Sequence, residues 1–172
     1  MKVTLWMATS LNGIIARKNN EEDFISHDSW LAWLEAIRKS GCLVWGRKTY
    51  EIVKTWPKEY FEDIKGVYTI TISSDKDYKL ESGFNLANSP EDAIEKLRKK
   101  GFTEMIVTGG SRINASFAKL GLIDEVVLNI EPDIIGEGIP IFNPEVFDLK
   151  LELIQMEKSK GNTIQLHYKV IK

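Results

Sequence analysis

Met105-Ile106-Val107-Thr108-Gly109-Gly110-Ser111-Arg112 joins an apolar run to an amphipathic one, and its reading decides the fold. The run before the glycines reads as a buried strand, and Ser111 to Leu120 as a helix. A strand–Gly-Gly–helix junction brings unpaired backbone N–H groups and the positive end of a helix dipole to one spot. That spot suits a phosphate. Glycine serves there because a Cβ would hold the anion away and because the turn can require a positive φ. Many helices of α/β proteins also start after glycine for packing alone. The weight comes from a second junction of the same kind, Gly46-Arg47-Lys48-Thr49, which follows the apolar run Cys42-Leu43-Val44-Trp45.

Working outward, Val3 to Ala8 is short, apolar and rich in β-formers, so it reads as a buried strand. Ser10 to Glu22 holds Asn12-Gly13 and a polar cluster and is expected to be a long loop. Asp28 or Ser29 caps an expected helix through Lys39, with Trp30, Leu31, Trp33, Leu34 and Ile37 at helical spacing. Cys42 to Trp45 is the next strand, and Arg47 to Lys54 a short helix ended by Pro57. Val67 to Ile72 has strong β-propensity, and Phe84 to Ala87 reads as a short strand. Ser89-Pro90-Glu91-Asp92 starts a helix with a cap, a proline and first-turn acids; it runs to Lys100 and stops at Gly101. Thr103 to Thr108, a helix over Arg112 to Lys119, and a strand over Asp124 to Glu131 follow. Leu149 to Lys158 and Thr163 to Ile171 flank Lys160-Gly161-Asn162 as an antiparallel hairpin. Alternating β and α followed by a β-rich end predicts a three-layer α/β/α arrangement, with a mostly parallel sheet and an antiparallel C-terminal hairpin.

The 172 residues fit one domain, 1–172, with no repeat or linker. A net charge of −2 gives no basic excess for nucleic acid or anionic membrane, so neither is an expected partner. One cysteine, Cys42, excludes an internal disulfide and a Cys-rich zinc site; it reads as a small core residue. No metal-ligand spacing is present. No apolar run approaches the roughly 18 residues of a membrane span, and no signal peptide is evident. A cytoplasmic location is expected.

Met7-Ala8-Thr9-Ser10-Leu11-Asn12-Gly13-Ile14-Ile15-Ala16 resembles the opening of the dihydrofolate reductase superfamily, in the branch of the riboflavin-biosynthesis reductase domain. Val44 to Glu51 resembles that superfamily's second cofactor turn, and Ile106 to Ser111 its double-glycine turn. Gly121 to Val126 and Ile135 to Phe142 resemble signatures of the riboflavin-type branch. The resemblance spans residue 1 to about residue 145 and implies an eight-stranded sheet, NADPH as hydride donor, and a homodimer.

On that resemblance the cofactor contacts are Ala8, Ile14, Gly46, Arg47, Lys48, Thr49, Ser73, Ser74, Thr108, Gly109, Gly110, Ser111, Arg112 and Ile113. Arg47 is suited to hold a phosphate bidentately and Lys48 to add a point charge. Read without it, Arg47 and Lys48 are solvated helix residues, Ser73 and Ser74 end a strand, and Ser111 is an N-cap. Leu11 to Ala16 corresponds to the loop that closes over nicotinamide and substrate, with Asn12 where the branch usually has aspartate.

Hydride reduction of C=N or C=O also needs a proton. The resemblance places acids at two positions that here carry Trp30 and Thr108. Asp28 and Asn12 are therefore the catalytic candidates, and both border the substrate together with Trp30. Asp28 equally serves as a capping acid, and Asn12-Gly13 as an ordinary turn. His27 is a further possible donor, and His167 is structural. Phe24, Trp30, Trp33 and Trp45 are either core or a stacking surface for a planar ring. The expected function is an NADPH-dependent oxidoreductase resembling 5-amino-6-(5-phosphoribosylamino)uracil reductase, acting on a small pterin-like or ribosylaminopyrimidine heterocycle. The alternatives are a dihydrofolate reductase and a non-catalytic NADPH-binding or sensor domain.

Overall fold

The computed structural model describes residues 1–159 and 161–172. In chain order the strands are β1 (Lys2–Ser10), β2 (Ile14–Ala16), β3 (Cys42–Gly46), β4 (Tyr68–Ile72), β5 (Phe84–Ala87), β6 (Glu104–Val107), β7 (Glu125–Glu131), β8 (Ile139–Pro140), β9 (Lys150–Lys158) and β10 (Ile164–Ile171). Eight of them form one sheet in the order β5-β4-β3-β6-β1-β7-β10-β9. Neighbours from β5 across to β7 are parallel, and β10 lies antiparallel to both β7 and β9. This is the mostly parallel α/β sheet with a C-terminal hairpin that the β/α alternation predicts.

The helices are α1 (His27–Ser40), α2 (Arg47–Val53), α3 (Lys58–Asp63), α4 (Pro90–Lys99) and α5 (Ser111–Lys119). Alternation along β1 shows how they divide, since successive strand side chains point to opposite faces. Val3, Leu5 and Met7 join a core with Ala93, Ile94 and Leu97 of α4 and Phe117 of α5. Trp6 turns the other way, onto Trp33, Leu34 and Ile37 of α1 and Tyr50 and Val53 of α2. Cys42 is fully buried, as a small core residue.

Three local features differ from the sequence reading. Helix α1 starts two or three residues earlier than Asp28 or Ser29 as cap would allow. The cap is Ser26, whose Oγ accepts from the Ser29 N–H at 3.2 Å, and Asp28 lies in the first turn, where a carboxylate favours the dipole. The loop from Ser10 to Glu22 contains β2, which pairs antiparallel with β8 to make a two-stranded clasp. Helix α3 occupies the segment after Pro57, which serves as its N-cap residue. Of the predicted hairpin turn, Lys160 lies outside the described residues.

Candidate active site

The two glycine junctions meet at the carboxyl ends of adjacent strands β3 and β6. The Gly46 N–H donates to the Gly109 carbonyl at 2.8 Å, and the Thr108 N–H to the Val44 carbonyl at 3.0 Å. Gly109 has φ +92°, a conformation that favours glycine, and its peptide bond to Gly110 is cis. A Cβ on Gly110 would come within 3.3 Å of Thr49 Oγ1, and one on Gly46 within 2.7 Å of Ile113 Cγ1. A side chain on Gly46 would thus have to displace Ile113, and one on Gly110 would press on the Thr49 hydroxyl.

Helix α5 begins at Gly110 with no side-chain cap, and α2 begins at Gly46 in the same way. Ser111 is the first residue of α5 rather than its cap, and its buried Oγ has no hydrogen-bond partner among the described residues. A native buried hydroxyl without a partner is uncommon and calls for an explanation such as a ligand. Uncapped backbone donors, an orphaned hydroxyl and a cradle free of Cβ atoms fit the pyrophosphate of a dinucleotide.

The other proposed cofactor residues surround this point with differing freedom. Arg47 is partly exposed, its Nε 3.5 Å from Glu51 Oε1 and its guanidinium 5.4 Å from the Tyr78 ring centroid. Lys48 and Arg112 are exposed, and Ile113 is half-buried. Ser73 and Ser74 follow β4, whose Ile72 is in register with Gly46. Ser73 Oγ is used locally, accepting from the Asp75 N–H at 3.1 Å, while Ser74 is exposed. Ile14 lies in the clasp, where its N–H donates to Ser10 Oγ.

Ala8, Thr49 and Thr108 instead line a cavity of about 100 Å³ whose walls include Trp6, Trp30, Trp33, Trp45 and Trp56. Trp30 packs 4.8 Å from Trp33 and 4.9 Å from Tyr60, centroid to centroid, and its Nε1 donates to Asp63 at 3.3 Å. Trp30 thus forms part of the cavity wall. Trp33 is 8% exposed, and its Nε1 has no partner among the described residues.

The catalytic candidates from the sequence do not line this cavity. Asn12 is consumed by the loop: its Oδ1 accepts from Ser10 Oγ at 2.8 Å and the Ile135 N–H at 3.1 Å, and its Nδ2 donates to the Ile135 carbonyl at 2.7 Å. Asp28 lines a different groove with Thr4, Glu35 and His167, toward the hairpin tip, where a Cβ on Gly161 would lie 3.4 Å from Asp28 Oδ2. His27 is exposed, and His167 lies 3.0 Å from Glu125.

Sequence reasoning passed over Glu22. It lies in the loop between β2 and α1 and lines both the indole cavity and an outer groove of about 650 Å³, where Trp56 is the other shared wall. Much of its side-chain surface is open to water, yet desolvation by the surrounding protein pushes its carboxyl up to about 7. Glu22 thus stands where the indole cavity opens into the outer groove. No local pattern marks it, because Glu21-Glu22-Asp23 reads as a solvated acidic run.

Fold and junctions together define a dihydrofolate reductase-like α/β protein. Residues 1–165 match the RibD C-terminal domain family, and the chain belongs to that family. It is 27% identical over 170 residues to the uncharacterized protein YwjB of Bacillus subtilis, covering 97% of each chain. Identity to YyaP of the same organism is 24%, covering 97% of this chain and 94% of YyaP. A solved Shewanella sp. PV-4 protein, named for riboflavin biosynthesis, superposes with a TM-score of 0.79 at 25% identity over the whole of both chains. The Thermotoga maritima diaminohydroxyphosphoribosylaminopyrimidine deaminase/5-amino-6-(5-phosphoribosylamino)uracil reductase superposes with a TM-score of 0.76 at 17% identity, with 99% of this chain matched to 56% of that one.

Proposed function

We propose that this protein is an NADPH-dependent reductase of a planar nitrogen heterocycle. The observation that carries the reading is the joined pair of glycine junctions, with the buried and unpartnered Ser111 hydroxyl at the uncapped start of α5. In this reading the α5 backbone donors and Ser111 hold the pyrophosphate, and Arg47 and Lys48 offer positive charge to the remaining phosphate. Bound there, NADPH supplies a hydride, and the protein contributes orientation and water exclusion.

The substrate ring enters the indole cavity, where aromatic walls favour a flat, partly apolar molecule. The partnerless Trp33 N–H offers a hydrogen bond to a ring nitrogen or carbonyl. A volume of about 100 Å³ takes one edge of a heterocycle, so the rest of the substrate extends into the outer groove. That groove carries Glu21, Glu22, Asp23 and Glu51 against Lys48. This charge balance favours a neutral or cationic tail and disfavours a phosphorylated one.

Arg47→Ala tests the cofactor half by fluorescence titration with NADPH. Loss of a charge-assisted contact is expected to weaken binding by about 1.5–3 kcal/mol. An unchanged dissociation constant returns Arg47 to the surface, and absence of NADPH binding by the unaltered chain ends the reductase reading.

The same reading extends to assembly. We infer a homodimer formed through the β9–β10 hairpin, where Leu153, Met156 and Ile164 expose apolar surface at 51%, 65% and 41%.

A further inference from the structure

We propose that Glu22 is the catalytic acid, its carboxyl giving a proton to the substrate atom bonded to the carbon that receives the hydride. The inference rests on the reductase reading above.

Hydride transfer to C=N or C=O leaves a negative charge on nitrogen or oxygen, and a positioned acid lowers that barrier. The cavity beside Thr108 and Thr49 needs such a group. Its walls are indoles, aliphatic chains and hydroxyls, and Glu22 is the carboxyl among the described residues that line it. Its place at the mouth gives both things an acid needs: a position on the same cavity wall as Trp30 and Trp56, where a ring edge would enter, and contact with the water that restores its proton. The crowding that raises its carboxyl to about 7 keeps a large share of it protonated at neutral pH.

The step balances as follows. The C=N or C=O π bond breaks and a C–H bond forms with the two electrons of the hydride. The reduced nicotinamide is oxidised. An N–H or O–H bond forms with the Glu22 proton, and the carboxylate left behind is reprotonated by water from the outer groove.

The charged neighbours on that groove are Glu21 and Asp23 on the same loop, Asp23 being held by Arg17, and Lys48 and Glu51 on α2. The expected profile follows from the sign of the shift: the acid form is the active one, so the rate falls about tenfold per pH unit once pH passes 7.

The test compares the full-length chain with E22Q and E22D. NADPH binding is measured by fluorescence, Glu side-chain titration by carbon NMR of the NADPH complex, and turnover with 5-amino-6-(ribosylamino)uracil and with dihydrofolate. NADPH affinity within twofold of the original in both variants, with a carboxyl signal titrating near pH 7 that E22Q removes, supports the proposal. A fall in kcat on the order of 100-fold or more in E22Q supports it further, as does partial retention in E22D with a displaced pH profile. A Glu22 signal that titrates between pH 4 and 5 in the NADPH complex overturns it, whether or not either probe turns over. So does an E22Q rate within threefold of the original with the same pH profile. Failure of the unaltered chain to bind NADPH is a separate result: it removes the reductase reading itself, and this inference with it.

Discussion

At the residue scale the informative atom is Ser111 Oγ, buried with no hydrogen-bond partner among the described residues. An unpaired buried hydroxyl costs stability in the ligand-free protein, and that cost is recovered when a ligand oxygen meets it. Ser111→Ala is therefore expected to leave the melting temperature unchanged or raised without NADPH. It is also expected to weaken NADPH binding by about 1.5–3 kcal/mol, the usual net value of a hydrogen bond to a charged group. Scanning calorimetry with and without cofactor, together with a binding titration, separates the two effects. Lower stability in the ligand-free state combined with unchanged affinity makes Ser111 an ordinary packing residue. Glycines required by a close approach or a positive φ are visible in a sequence as glycines, and Gly46, crowded by Ile113, Gly110, close to Thr49, and Gly109, at φ +92°, were legible for that reason. The roles of Asn12, Asp28 and Glu22 depend on which way a side chain leaves the backbone, and in loops and first helical turns no periodicity encodes that direction.

At the element scale the same distinction holds. Strands β1, β3, β6 and β7 were legible because their runs are apolar and are interrupted by caps and glycines. Strands β2 and β8 are three and two residues long and pair with each other across most of the chain, so neither carries a local pattern. The start of α1 is likewise governed by a contact distant in sequence. Glu131, at the end of β7 and 1% exposed, accepts at Oε1 from the Ser26 N–H at 3.0 Å, Ser26 Oγ at 2.8 Å and Ser29 Oγ at 2.5 Å. At Oε2 it accepts from Thr163 Oγ1 at 3.1 Å. One side chain thus fixes the entrance of α1 and the start of β10 to the central sheet, and through α1 it sets the position of Trp30 and Trp33. Glu131→Ala strands several buried donors at about 1–3 kcal/mol each, for a total loss on the order of 3–5 kcal/mol. Urea unfolding followed by tryptophan fluorescence measures this, with Glu131→Gln expected to fall between the two. A midpoint shift under a few tenths of a molar in Glu131→Ala would show that α1 is held by its apolar face alone.

At the scale of the molecule, the sheet leaves one margin uncovered. The register between β9 and β10 shifts so that Leu153 pairs with Tyr168 while Gln155 pairs with His167, which leaves Ile154 as an extra residue. A one-residue shift reverses the faces of everything beyond it. It therefore keeps Leu151, Leu153 and Met156 on the same side as Val170, Tyr168 and Leu166. That side continues through the pairs Tyr168 with Val126 and Leu166 with Leu128 into the core beneath α5. Without the bulge, Met156 would turn to the opposite face and the apolar band would end at Leu153. The band thus extends the interior onto the hairpin, where none of the described helices covers it; in the homodimer proposed above, a second copy presenting the same band would close it about a two-fold axis. Met156→Lys, alone or with Leu153→Lys, places charge in the middle of that contact. Sedimentation velocity is expected to give the mass of two chains for the unaltered protein and of one for the double variant. Because the hairpin is far from the glycine junctions in the strand order, the variant's NADPH affinity is expected to stay within twofold. A single-chain mass for the unaltered protein across micromolar concentrations would refute pairing through this face, and the exposed band would then need an occupant of different composition.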